Sequence, residues 1–231
     1  MALLDDLKTE VATIFRDTWE VTSGRVVPAA LSIGLGNKAI ELDPATVLYA
    51  DLDGSTTMVN RMKWHFSAEI YKTYLHCAAK IIKAQSGVIT AYHGDRIMAV
   101  FIGDHQCAQA ARTGLQLNYA VRNVINPAIQ AQYKTDFVLK HAVRIDKSTI
   151  RVARTGVRGD NDLVWVGRAA NYAAKLTALP IDEWQAWATA DVYNSLAAGV
   201  THYNAQAIWS ARLWTAMDNY PIYGSGWGFA I

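Results

Sequence analysis

Two stretches of the chain carry a β-prone apolar run together with an aspartate at a glycine: Val47-Leu48-Tyr49-Ala50-Asp51-Leu52-Asp53-Gly54-Ser55-Thr56 and Ala91-Tyr92-His93-Gly94-Asp95-Arg96-Ile97-Met98-Ala99-Val100. The first run, over residues 46–50, reads as a buried strand with Asp51 at its exit, and residues 88–92 and 97–102 read as a hairpin about His93-Gly94-Asp95-Arg96. An aspartate at a strand end is by itself an ordinary turn former. Asp51 and Asp95, 44 positions apart, say more together. Two such carboxylates can share a pair of divalent cations, because Mg²⁺ combines one or two carboxylates with phosphate oxygens of a substrate. Phosphoryl chemistry on a metal–nucleoside triphosphate is therefore the leading expectation.

The rest of the chain supplies a frame for these strands. Residues 3–20 place Leu3, Leu7, Val11, Ile14 and Phe15 at helical spacing with charges between them, the pattern of an amphipathic helix that packs on the domain or on a second copy of it. Gly34, Gly36 and Pro44 then mark a loop. Ser55 or Thr56 can cap a helix through residue 84, ended by Gly87, and Asp104 caps another to about residue 123. Residues 137–145 and 149–153 predict a second hairpin, and residues 163–166 lead into a helix over 168–179. The order β-α-β-β-α-β-β-β-α indicates an α+β fold with a mixed or antiparallel sheet. The chain divides into an N-terminal helix and loop (1–45), a catalytic core (46–180) and a Trp-rich C-terminal part of the same domain (181–231). That last part holds five of the eight tryptophans, a density that argues for packing. Its end, Tyr223-Gly224-Ser225-Gly226-Trp227-Gly228-Phe229, is a locally packed terminus or else a flexible arm.

Composition narrows the function classes. With 52% hydrophobic and 18% charged residues the chain can bury a full core. Its net charge is only +2, and the 22 lysines and arginines are scattered, so no footprint for nucleic acid stands out. Cys77 and Cys107 lack metal-site or disulfide spacing and read as reduced structural thiols, which fits the cytoplasm. The apolar run 26–35 is about half a membrane span, so neither a membrane anchor nor a signal peptide is expected.

Two further segments add chemistry. Asp53-Gly54-Ser55-Thr56 lies where a helix N-terminus offers unpaired N–H groups and a favourable dipole to a triphosphate; Asp53 is either a further metal ligand or, preferably, a helix cap. In Gly167-Arg168-Ala169-Ala170-Asn171-Tyr172-Ala173-Ala174-Lys175-Leu176, Asn171 and Lys175 share one helical face. Taken alone, that pair reads equally well as a solvated stripe. Over residues 46–180 the three segments together resemble the class III nucleotidyl cyclases. That family carries an aromatic-x-Asp-Ile/Leu-x-Gly-x-Thr strand end, a Gly-Asp hairpin and a Gly-x-x-x-Asn-x-Ala-x-Arg helix. The resemblance implies that Asp51, Asp95 and the Leu52 carbonyl bind two Mg²⁺ or Mn²⁺ ions per active site, that Asn171 orients the ribose and that Lys175 stabilises charge at the α-phosphoryl group. Lys175 stands where the family has Arg, which keeps the charge and loses the bidentate fork. The resemblance also implies a head-to-tail homodimer in which the metal half and the Asn171/Lys175 half of each site come from different subunits.

The purine cyclases read their base with polar residues at the positions of Ala91 and Val164, neither of which can hydrogen-bond a base edge. Tyr49 and Arg96, beside the metal ligands, are the candidate replacements; their bland alternatives are a core aromatic and a turn ion pair. These departures resemble the pyrimidine cyclases of bacterial Pycsar anti-phage systems. A donor-only guanidinium suits the carbonyl at uracil position 4 better than the amino group of cytosine, so UTP is favoured over CTP as substrate, ahead of a purine cyclase with unfamiliar base contacts and of a catalytically inactive nucleotide-binding module. The resemblance implies a separate cyclic-nucleotide-responsive effector protein as receptor. Arg144, Arg151, Arg154, Arg158 and Arg212 are read as surface charges rather than triphosphate ligands.

Overall fold

The computed structural model describes residues 2–181 and 184–231. In chain order the elements are α1 (Leu3–Arg16), β1 (Glu20–Ser23), β2 (Lys38–Asp53), α2 (Ser55–Arg61), α3 (Trp64–Ala84), β3 (Val88–His93), β4 (Arg96–Phe101), α4 (Gln106–Ala120) and, after a π-helical turn at Val121–Ile125, α5 (Asn126–Tyr133). There follow β5 (Lys140–Val157), β6 (Asp160–Val166), α6 (Arg168–Leu176), β7 (Ala186–Thr189), α7 (Ala190–Tyr193), α8 (Ala198–Thr201), β8 (His202–Tyr203), β9 (Gln206–Ala207), β10 (Ser210–Trp214) and β11 (Tyr220–Ser225). Among the described residues nine strands form one sheet in the order β10-β11-β7-β5-β2-β4-β3, with β1 beside β2 and β6 beside β5. The β1–β2 and β5–β7 pairs are parallel and the rest antiparallel, so the sheet is mixed.

Strand alternation builds two cores from the same strands. On one face Leu48, Ala50 and Leu52 of β2 and Ile97, Ala99 and Phe101 of β4 pack against Ile70, Tyr74 and Ala78 of α3 and Ala110, Ala111 and Leu115 of α4. On the other face Val47, Met98, Val100, Ile150 and Val152 pack against Ala169, Ala170 and Ala173 of α6. Methyl-sized side chains let α6 lie close on the sheet.

Five expectations are corrected. The strand expected over 46–50 is β2, which begins at Lys38 and runs past Pro44 with a register shift between Leu42 and Ala45. The helix expected through residue 84 breaks at Met62, which is extended, so Met58 and Phe66 enter the core from two separate helices. Its cap is Gly54, at φ 71°, and no side chain caps it, so Asp53, Ser55 and Thr56 are not capping residues; nor does Asp104 cap α4, whose N-cap is His105. Finally, residues 137–145 and 149–153 make no hairpin. Asp146-Lys147-Ser148 looks like a turn but stays extended within β5, because each polar side chain has a partner: Asp146 with Arg168 and Thr189, the Lys147 Nζ with Ser195, and the Ser148 Oγ with the Ala169 N–H. The hairpin lies further on, between β5 and β6.

The C-terminal end is packed. The Phe229 N–H donates to the Leu115 carbonyl at 3.0 Å and the Asn118 Nδ2 to the Trp227 carbonyl at 2.7 Å. The apolar face of α1, by contrast, buries no residue in its own chain. No helix among the described residues is long and apolar enough to cross a membrane.

Candidate active site

Parity along β2 decides what meets Asp51. Odd positions 47 and 49 face α6, so Asp51 does too, and the same alternation on β4 puts Arg96 on that face with Met98 and Val100. The register places Ala91, Met98, Tyr49 and Arg144 in one row across four strands. One step toward the strand end, just past the Ala50–Ile97 pair, Asp51 meets Arg96.

The Arg96 guanidinium grips a single oxygen. Its Nη2 donates to Asp51 Oδ2 at 2.7 Å and its Nε to the same atom at 3.1 Å. Nη2 also reaches Thr177 Oγ1 at 3.4 Å, and the Cζ lies 5.7 Å from the centre of the Tyr49 ring. The Asp51 side chain is 15% exposed and that of Arg96 32%. Burial raises the Asp51 carboxyl above its usual range despite the opposing Arg96 bond, and the charge of Asp95 pushes it the same way. Burial likewise raises the Tyr49 hydroxyl, against a smaller effect of Arg96. Asp95, in the β3–β4 turn, is thus near enough for its charge to be felt at Asp51. Beneath the strand the buried Tyr74 hydroxyl donates to the Asp51 backbone carbonyl at 3.4 Å and sits at the same distance from His141 Nδ1.

Strand β4 leaves β2 after Ala50, whereas β5 continues to Asp53. Residues Asp51, Leu52 and Asp53 are therefore paired on one side only. Gly54, Ser55 and Thr56 follow at once, and the first N–H groups of α2 have no intrahelical acceptors.

Asn171 and Lys175 lie on the exposed face of α6, and neither side chain has a hydrogen-bond or ion-pair partner among the described residues. The helix beneath them is anchored at both ends. Arg144, read from sequence as a surface charge, has no exposed surface at all. It donates from Nε to the Leu176 carbonyl at 2.7 Å, from Nη2 to Leu179 at 3.1 Å, and from Nη1 to Gln185 at 2.7 Å and Val143 at 3.0 Å. Burial lowers its pKa to about 9, yet it stays charged at neutral pH, a cation held by the carbonyls that end the helix. At the other end Arg168 binds the buried Asp146 at 3.1 Å, together with Asp191 and the Tyr220 hydroxyl. Burial alone would weaken the Arg168 cation, but its bonds to Asp191 and Asp146 outweigh that and raise its pKa. The strand parity that places Asp51 also places Arg144 and Asp146 under α6, a signal available in the sequence once β5 is recognised as one strand.

The donor set suits a hard cation. Asp51, Asp95 and the Leu52 carbonyl offer only oxygen, as Mg²⁺ and Mn²⁺ prefer, and Asp51 already holds a cationic group, the Arg96 guanidinium. Among the described residues no cluster of three or more His, Cys, Asp or Glu side chains is present. An ion here would draw its remaining oxygens from phosphate or water.

No family model matches the chain. Over 232 residues, covering the whole of both proteins, it is 52% identical to a protein named uridylate cyclase from Burkholderia cepacia, and over 233 residues it is 48% identical to one of the same name from Xanthomonas perforans, again along both full lengths. The chain belongs to the uridylate cyclase family. It is accordingly a nucleotidyl cyclase. The fold agrees: the adenylyl cyclase CyaB from P. aeruginosa superposes with a TM-score of 0.67 over 81% of this chain and 95% of that one, at 18% identity. In this uridylate cyclase family member the two positions of the purine code hold Ala91, in the row beside Met98 and Tyr49, and Val164, partly exposed on β6. Neither supplies a polar group to a base.

Proposed function

We propose that this chain converts UTP to 3′,5′-cyclic UMP and pyrophosphate. The observation that carries the reading is the identity, along the full length of both chains, to proteins named uridylate cyclase. In the reaction the ribose O3′ attacks the α-phosphorus in line, the O3′ proton is lost, and the bond to the β-phosphate oxygen breaks. Two Mg²⁺ or Mn²⁺ ions on Asp51, Asp95 and the Leu52 carbonyl would lower the pKa of the 3′-hydroxyl and neutralise the triphosphate.

The chain's own groups do the positioning. N–H groups at the start of α2, from Gly54, Ser55 and Thr56, receive phosphate oxygens, with Asp53 beside them. Asn171 orients the ribose, and the Lys175 ammonium faces the charge that grows on the α-phosphoryl oxygens. Tyr49 narrows the base pocket, and Arg96 donates to a uracil carbonyl, which cytosine replaces at position 4 with an amino group. Two copies arranged head to tail bring Asn171 and Lys175 of one subunit to Asp51 and Asp95 of the other; the outward position of both side chains, without a partner among the described residues, supports this arrangement, and the exposed face of α1 offers further surface to the second copy. The product acts in the bacterial cytoplasm as a second messenger of anti-phage defence, read by a separate cyclic-nucleotide-responsive effector.

The test is a product assay. Purified protein with Mn²⁺ is given UTP, CTP, ATP and GTP singly and mixed, and products are identified by mass. Cyclic UMP as the main product is expected. Cyclic CMP or a purine product refutes the assignment of Tyr49 and Arg96, and no cyclic product from a dimer refutes the proposed activity.

A further inference from the structure

The grip of Arg96 on Asp51 bears on how the site is loaded. Two ions held by Asp51 and Asp95 would draw on the oxygens of both carboxylates, and Asp51 Oδ2 is already taken by two N–H donors at 2.7 and 3.1 Å. A guanidinium and a divalent cation that both use that oxygen compete for it, because their like charges repel at short range in a partly buried setting. Arg96 is free to leave: its side chain is one-third exposed, and its Cζ already lies 5.7 Å from the centre of the Tyr49 ring, a contact it can keep without Asp51. Thr177 Oγ1, at 3.4 Å, is a weak tether.

We infer that Arg96 is an exchangeable counter-ion of the metal site, holding Asp51 until a divalent cation displaces it and then keeping only its contact with Tyr49, free to meet the nucleotide. This rests on the reading of Asp51 and Asp95 as metal ligands. It makes Arg96 a loading residue as well as a base-reading one: the ion that completes the catalytic site also releases the group that tests the base. Until then Asp51 carries its neutralising charge on board. By linkage, whatever affinity the Arg96 pair takes from the metal is returned to any ligand that draws Arg96 away.

The experiment titrates Mn²⁺ by electron paramagnetic resonance into the full chain, first stripped with chelator and free of nucleotide, for wild type, Arg96→Ala, Arg96→Lys and Asp51→Asn. Arg96→Ala is expected to bind Mn²⁺ about tenfold more tightly, within the usual range of coupling between sites. Arg96→Lys keeps the charge and loses the two-pronged grip, so it moves part of the way. In a second readout, added Mg²⁺ shifts and weakens the nuclear magnetic resonance signal of the Arg96 Nε–H. Equal or weaker Mn²⁺ binding by Arg96→Ala overturns the exchange and leaves the metal reading standing. So does Arg96→Lys at the wild-type affinity, which would mean long-range repulsion alone. Mn²⁺ binding that is absent from every protein, or unchanged in Asp51→Asn, overturns the metal reading and the exchange together.

Discussion

Replacing Gly167 with alanine puts a methyl carbon 2.5 Å from the Thr149 carbonyl oxygen and 3.1 Å from the Ile150 Cα. The φ of Gly167 is 167°, extended backbone open to any residue, so space and not conformational freedom is what glycine supplies there. The new carbon falls ~0.8 Å short of an ordinary C···O contact. Both opposing atoms belong to the backbone of β5, where Ile150 pairs with Leu42 of β2, Thr149 faces the register shift and pairing with β6 starts at Arg151. Ile150 is held by its pair, so α6 is pushed off the sheet at its first turn. Overpacking against fixed backbone costs about 2–3 kcal/mol, the upper part of the usual range, and in a chain of this size lowers Tm by about 4–12 °C. The displaced helix carries Asn171 and Lys175. A shift approaching 1 Å in groups proposed to orient the ribose and the α-phosphate is expected to lower kcat by about 10²-fold. Thermal unfolding and the cyclic UMP assay on Gly167→Ala read both effects. A variant that melts within about 1 °C of wild type and keeps its kcat would refute the claim that contact at residue 167 sets the height of α6.

Arg144→Lys keeps a charge under α6 but, with three donors for four carbonyls, leaves at least one without its side-chain donor, so it loses about 1–3 kcal/mol in urea unfolding, with faster amide exchange at Thr177–Leu179; unchanged stability would contradict the anchor. Burial, aided by Arg144 and Arg122, holds the His141 imidazole down to about 3. The unfolded chain therefore takes up a proton below about pH 6.5 that the folded chain refuses, so stability falls as pH drops from there toward 3, by about 2 kcal/mol between pH 7 and pH 5. His141→Gln should flatten that slope in urea titrations, and equal slopes would show that His141 is not its source. Asp51→Asn removes a carboxylate whose largest perturbation is its own burial, so it is expected to keep or raise Tm while cyclisation falls by about 10³-fold or more; substantial residual turnover would remove Asp51 from the reaction.

The parts of the candidate site proposed from sequence are those with a local signature. Asp51 and Asp95 stand at β-prone runs punctuated by glycine, and Asn171 and Lys175 sit on an Ala-rich amphipathic turn. What escaped notice depends on partners distant in the chain. Asp146-Lys147-Ser148 has the composition of a turn, and only Arg168, Thr189 and Ser195, brought in by α6 and the segment after it, make an extended path the better one. Arg144 has the identity of a surface residue, yet the carbonyls of Leu176, Leu179 and Gln185 solvate it in place of water. The helix break at Met62 carries neither glycine nor proline to announce it.

The alternation of β2 between its two cores has a consequence for how such a chain can change length. Inserting or deleting one residue between Val47 and Asp51, with the rest of the ladder held, exchanges the faces of everything beyond it. Asp51 would turn into the apolar layer of α3 and α4; a deletion would put Leu52 in its place before α6 and Arg96, and an insertion Ala50 or the inserted residue. Any single-residue length change in this stretch is therefore excluded, whereas a pair of residues restores the facing. A few positions on, past the last pairing with β4, that rule lapses on one side of the strand. Drift in length among functional variants should accordingly gather after Asp53 and be absent before it.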